Sequence, residues 1–489
     1  MNHFDMIIVG AGLSGIGAAC HLQSKHPNKS YKIIESRERM GGTWDLFRYP
    51  GVRSDSDMHT LGYSFKPWLS TKSIADGPAI RDYIKESAAE FGVDQHIQYQ
   101  RKVVAASWDS ATAKWTLSLE NTGDLAGLTA EPETLTCNFI YSCTGYYRYD
   151  QGFTPDFPDA DQFNGQIVHP QLWPEDLDYS GKRVIVIGSG ATAITLVPSM
   201  AKTAGHVTML QRSPTYVLSR PDEDAVSQKL RRWFPEQLAY DLTRWKNVTA
   251  QAMLFQLSRR FPNYVKKLIR KVVHGWMGDD FAIDTHFNPS YKPWDQRLCL
   301  VPNGDLFRSL RKGTSSIVTD HIERFTENGI LLKSGETLEA DIIITATGLE
   351  LLLLGGLKLE VDGVETKVAD SLTYKGMMFS GIPNLALAAG YTNASWTLKC
   401  DLTSNYVCRL LSYMDKHKYQ YCVANNDPSV KRLQFLDLAS GYVDRAIDQF
   451  PKQGDKSPWK LHQNYLLDIL NLRVGSVRDK AMGFYRGGN

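Results

Sequence analysis

The chain lacks a continuous apolar run of the roughly 18 to 20 residues a membrane-spanning helix needs. Its most apolar window, Ile342 to Leu357, is interrupted by Thr345, Thr347, Gly348 and Glu350. It also lacks a charge excess. Fifty-five Lys and Arg stand against 53 Asp and Glu, for a net charge of +2, too even a balance to imply a nucleic-acid surface or an acidic-membrane surface. The seven cysteines (20, 137, 143, 299, 400, 408 and 422) form no C-x-x-C pair and no metal-ligand spacing. No metal site is therefore expected, and the odd total suits packed, reduced thiols. The amino terminus enters a strand at Phe4, leaving no room for a cleavable signal. With 489 residues, these absences predict a cytoplasmic protein of two or three domains whose partners are small molecules.

What is present is a pair of nucleotide-binding units. The apolar run Phe4 to Val9 ends in Gly10-Ala11-Gly12-Leu13-Ser14-Gly15, a helix-compatible stretch follows from Ile16, and a second strand runs from Tyr31 to Glu35. Gly10, Gly12 and Gly15 let the turn tighten, and with Ser14 they bring backbone close to a pyrophosphate at the helix amino end, where free N–H groups favour negative charge. Glu35 follows Gly15 by twenty residues, where a carboxylate binds the ribose hydroxyls of an unphosphorylated nucleotide.

The second unit repeats the pattern. Arg183 to Ile187 leads into Gly188-Ser189-Gly190-Ala191-Thr192-Ala193, then Ile194 and a helix, then a strand from His206 to Gln211. Ala193 replaces the third glycine and is still small enough for close helix–strand packing. At the strand's end stand Arg212 and Ser213, which can hold a 2′-phosphate that a carboxylate would repel. The second unit is thus expected to take NADPH and the first a dinucleotide without that phosphate. Two nicotinamides would achieve nothing together, so the first cofactor is expected to be FAD.

Between the units lies Gly41 to Asp55, too rich in glycine and aromatics for a regular element and suited either to a surface loop or to lie against a cofactor ring. Strands are expected around Val103 and over Trp115 to Leu119, an exposed loop over 121–133, and a buried strand over Phe139 to Gly145. From Pro214 to about Pro293 the texture becomes basic and aromatic, with amphipathic helices such as Gln228 to Trp233 and Tyr240 to Ser258. Arg231, Arg232, Arg259, Arg260, Lys266, Lys267, Arg270 and Lys271 cluster there. A solvated helix face and a weak peripheral membrane contact both account for that cluster. The fold expected is α/β, with two Rossmann-like dinucleotide-binding domains. Residues 1–150 and 346–489 form the FAD domain, 151–215 and 290–345 the NADP domain, and 216–289 a helical insert in the latter.

The junction between the units reads Phe163-x-Gly165-x-x-x-His169-x-x-x-Trp173-Pro174, and the earlier loop carries Gly41-Gly42-x-Trp44, Tyr49-Pro50-Gly51 and Asp55. Both resemble the signatures of type I Baeyer–Villiger monooxygenases. The likeness spans essentially the whole chain and is nearest to the bacterial ethionamide-activating subgroup. It implies an NADPH- and O2-dependent flavin monooxygenase that turns ketones into esters or lactones through a C4a-peroxyflavin, with oxidation of sulfides or thioamides as a second activity. Arg297 matches the family's active-site arginine, a fixed cation for the anionic adduct. Asp55 orients it, a structural turn cap being the competing reading. His169 is assigned to domain positioning and cofactor exchange, with an ordinary hydrogen-bonded histidine as its alternative. Thr43, Trp44, Asp45, Leu46, Arg53, Ser54 and Val103 complete the expected cofactor contacts. Gln296 stands where many relatives carry a phosphate-binding lysine, which shifts that task toward Arg212 and Ser213. The alternative function is a monooxygenase that oxidises nitrogen or sulfur only, and the non-enzyme alternative is a redox sensor that binds both cofactors.

Overall fold

The computed structural model describes residues 2–123, 133–296, 298–435 and 440–487. Two sheets organise it, the first mixed and the second parallel. In the first, Asn2–Val9 lies between Tyr31–Ile34 and Glu133–Ser142, parallel to both. The helix Leu13–Lys25 returns the chain from the first of these strands toward the second. Ile7, Ile8, Ile33, Ile140 and Leu385 are fully buried, which is why these strands read as unbroken apolar runs.

Glu133–Ser142 begins six residues earlier than its apolar stretch predicts. Its outer half alternates in exposure and pairs antiparallel with Lys114–Asn121, while its last four residues are all buried. Only the buried half gives a continuous apolar signal. Late chain returns to this sheet: Lys358–Val361 pairs with Arg101–Asp109, and Leu385–Leu387 with Glu133–Ser142. Helix Trp396–His417 packs on Leu13–Lys25. Of the loop expected over 121–133, residues 124–132 lie outside the described residues.

The second sheet has five parallel strands in the order Ser315–Thr319, His206–Gln211, Arg183–Ile187, Ile342–Thr345 and Gln166–Val168. Its edge strand Gln166–Val168 is part of the junction signature, so that motif is welded to the second unit. A short ribbon, Tyr147–Gly152 against Leu349–Leu351, carries the chain between the sheets in both directions. The expected α/β class with two nucleotide-binding units is what the chain forms.

Helices Ala225–Trp233, Glu236–Arg260 and Pro262–Met277 occupy the basic stretch. The middle one reaches back onto the first unit. Arg244 Nη1 donates to the carbonyls of His59 (2.8 Å) and Gly62 (2.7 Å), and its Nη2 lies 3.4 Å from Asp401. Among the described residues no helix is long and apolar enough to cross a membrane. All seven cysteines are buried.

Candidate functional site

The two glycine loops open onto one cleft of about 460 Å³. Gly12 and Ser14 line it from the first unit, and Ser189, Gly190, Ala191 and Thr192 from the second. Each loop feeds a helix whose N-cap is a glycine, Gly12 or Gly190, with no side-chain cap. The amide donors of both first turns are thus left for a ligand, and the helix dipoles favour an anionic one. Gly10, Gly15, Gly188, Ala193 and Ile194 stand behind the lining and shape the turns. A Cβ on Gly15 would lie 1.8 Å from Gly10 O, so no side chain is admissible there.

Gly41 to Asp55 bridges the units. Thr43, Trp44, Arg53, Ser54 and Asp55 line the cleft, while Tyr49 and Val52 pack into the second unit's core. Gly51, at φ +77°, touches the Ala191–Met200 helix so closely that a Cβ would meet Ser199 Oγ at 1.9 Å. Expected to be irregular throughout, the segment instead forms one helical turn, Thr43–Leu46. Inside that turn Asp45 is buried and faces Arg37 and Arg48, each at 2.9 Å, with Arg81 at 4.0 Å. Asp45 therefore fixes the loop rather than lining the cleft, and Leu46 is likewise absent from the lining.

Glu35 is buried and accepts from Ala11 N–H (2.7 Å) and Arg37 N–H (2.9 Å), and burial pushes its carboxyl above the usual range. Arg212 and Ser213 are exposed at the end of their strand, and Ser213 O accepts from Ser189 Oγ at 3.0 Å. That bond ties the second glycine loop to the position where a 2′-phosphate would be read. Val103 is a buried core residue beside a register shift, away from the lining. Arg53 is paired with Asp305 (2.5 Å), at the start of helix Asp305–Arg311. No local signal joins residues 252 apart, and Asp305 was not expected.

His169 stands outside the lining. Its Nε2–H donates to Gly348 O (3.1 Å) and its Nδ1 accepts from Gln171 N–H (3.2 Å). Both nitrogens are thus used as a neutral ring requires, and burial lowers its pKa. A Cβ on Gly152 would come within 1.9 Å of the ring, so Gly152 makes room for it. Together these contacts pin the junction to the ribbon between the sheets. Arg297 lies outside the described residues; Gln296 and Cys299 on either side of it line the cleft.

A side cavity of about 50 Å³ adjoins the cleft and shares Gly145, Tyr146, Tyr391, Trp396 and Tyr442 with it. It is lined mainly by apolar and aromatic groups, with Lys399 and Asp468 (2.7 Å apart) on one wall. Trp396 Nε1–H donates to Ser14 Oγ at 2.8 Å, linking this wall to the first glycine loop. Ser54 Oγ and Ser440 Oγ, both on the cleft, are buried with no hydrogen-bond partner among the described residues. Uncapped helix starts and orphaned hydroxyls on one cleft suit phosphate-bearing dinucleotides.

Residues 73–354 match the flavin-binding monooxygenase-like family, and residues 8–71 match the NAD(P)-binding Rossmann-like domain. The FAD-containing monooxygenase EthA of Mycobacterium tuberculosis (strain ATCC 25618 / H37Rv) is 52% identical over 485 residues, covering 99% of this chain and 98% of that protein. The probable FAD-binding monooxygenase AlmA of Acinetobacter baylyi is 50% identical over 486 residues, covering 99% and 96%. Among solved structures, a steroid monooxygenase bound to NADP matches 99% of this chain and 100% of its own, with a TM-score of 0.79 at 21% identity. An open structure of cyclohexanone monooxygenase matches the same shares with a TM-score of 0.74 at 17% identity; at such identities the likeness is one of fold. The chain belongs to the flavin-binding monooxygenase-like family.

Proposed function

We propose that the protein is an FAD-containing, NADPH- and O2-dependent monooxygenase of the Baeyer–Villiger type, converting ketones to esters or lactones and oxidising sulfides or thioamides as a second activity. The observation that carries this is a single cleft with both glycine loops in its walls and an apolar side cavity opening from it. Two cofactors can face each other there while a small apolar substrate sits beside them.

Bound FAD, reduced by NADPH, supplies the oxygen-activating chemistry. The chain's own contribution is binding, orientation and charge. Gly12, Ser14 and the uncapped helix start hold one pyrophosphate and Glu35 the ribose; Ser189 to Thr192 hold the other, with Arg212 and Ser213 on the 2′-phosphate. Ser54 donates its free hydroxyl toward the cleft, and Asp55 orients Arg297, whose guanidinium stays protonated and stabilises negative charge at the reacting oxygen. Tyr146, Tyr391 and Trp396 exclude water between cleft and cavity.

Product analysis tests the proposal. Incubation with NADPH, oxygen and an aliphatic ketone is expected to give ester with matched NADPH consumption. Oxidation of a sulfide without any ester would assign heteroatom-only chemistry instead, and NADPH consumption indifferent to either substrate would leave a redox sensor.

A further inference from the structure

Helix Glu236–Arg260 is built inside out. Tyr240, Thr243, Arg244 and Asn247 face inward and are buried, whereas Leu238, Leu242, Trp245 and Met253, spaced to share one helix face, are 45%, 41%, 45% and 72% exposed. A helix on a water-facing surface shows the reverse pattern. The apolar face continues at both ends, through Trp233 at 82% and through Phe261 and Tyr264 at 55% and 61%. It also continues sideways. The Trp245 ring lies 6.1 Å from that of Tyr465, which begins a segment with Leu470 and Val474 exposed.

Charge is segregated to the same place. Residues 225–277 hold eleven Lys and Arg against two Asp and Glu; Arg244, Lys246, Arg259 and Arg270 pair with Asp401, Asp224, Asp295 and Asp284 outside the segment, and the others remain in excess over its two acids. Arg260, Lys267 and Lys271 are exposed among Phe261, Tyr264 and Leu268. Aromatic and Met tips ringed by cations suit the boundary between lipid headgroups and acyl chains. A second copy of the chain is a poor occupant, because a two-fold contact would bring the exposed Arg260, Lys267 and Lys271 of both copies together.

We propose that this face is a peripheral docking surface for an anionic lipid bilayer. The 465–474 segment beside it turns Asp468 toward the side cavity, so an apolar substrate dissolved in the bilayer is delivered next to its site. Delivery rests on the proposed function; docking does not.

Sedimentation of the flavin-loaded protein with vesicles of phosphatidylcholine, with and without phosphatidylglycerol, tests the docking. Retention by the anionic vesicles alone, reversed by salt, is the expected result. Trp233→Ser/Met253→Ser/Tyr264→Ser and, separately, R260E/K267E/K271E should each weaken it by about tenfold or more, with flavin content and melting temperature unchanged. Failure to bind anionic vesicles, or binding that neither triple variant weakens, overturns the proposal. A change of sedimentation coefficient without lipid in the first variant also overturns it, by showing the face to be a contact between copies.

Discussion

The two nucleotide-binding units share a backbone and differ in which way one side chain turns. Val9 pairs with Ile34 and Ile187 with Leu210, and in each unit the first loop glycine donates to the carbonyl of the latter residue at 2.8 Å. Glu35 and Gln211 therefore occupy the same register. Glu35 turns back onto its own loop and accepts from Ala11 N–H. Gln211 turns away, donating to His286 O (2.9 Å) and Thr319 Oγ1 (2.8 Å), and leaves Arg212 and Ser213 at the rim. One loop is closed by an acid and the other leaves Arg212 and Ser213 exposed, in the same strand register.

The largest effect is expected at the third loop position, where the units differ by one methyl group. A Cβ on Gly15 meets backbone, which cannot yield as a side chain can. Gly15→Ala should yield colourless protein destabilised by at least about 3 kcal/mol, seen in its absorbance spectrum and melting curve; flavin uptake at normal affinity would refute the tight first loop. Next in size is Arg212→Glu, which should raise the KM for NADPH by at least about tenfold. NADH kinetics and flavin content should hardly move. Equal losses with both nicotinamides would show that the rim of the second unit does not read the phosphate.

Both units were legible in the sequence because glycine spacing, buried strands and an end-of-strand residue coincide within thirty residues of each other. The junction was legible as a motif, though not as an edge strand of the second sheet. Contacts between distant segments were not legible. Arg244 lies within the basic stretch of the sequence without any local sign of a partner, yet it is buried against Asp401; the available signal was that Tyr240, Thr243, Arg244 and Asn247 share a face while Leu238, Leu242 and Trp245 share another. Arg53 with Asp305, and Lys399 with Asp468, are similarly charges whose partners only the fold supplies. Asp45, expected among the cofactor contacts, is likewise buried among Arg37, Arg48 and Arg81.

The units should also part company on acidification. His286 Nδ1 accepts from Thr319 Oγ1 (2.8 Å), which in turn accepts from Gln211, and burial lowers the His286 pKa from 6.5. Its neutral form thus contributes stability that is present above 6.5 and lost as the pH falls. Glu35, pushed up from 4.5 by burial, has the opposite sign: its contribution is present at low pH and lost as the pH rises. Hydrogen exchange corrected for intrinsic rates should therefore show His206–Gln211 loosening below about pH 6.5 while Tyr31–Ile34 holds, and His286→Gln should abolish the difference. Simultaneous loosening of both strands would mean that the two units share one acid-sensitive element.

The smallest expected effect sharpens the comparison most. Ala193 is fully buried, near the start of helix Ala191–Met200, so the second loop already holds the methyl group the first cannot. Ala193→Gly should cost only about 1 kcal/mol, from added backbone freedom in the unfolded chain and the lost buried methyl. Flavin content and the KM for NADPH should stay as they are. A melting-curve loss as large as that of Gly15→Ala would mean that the methyl holds the second loop open as a spacer, and the exposed rim now ascribed to Gln211 would belong to Ala193.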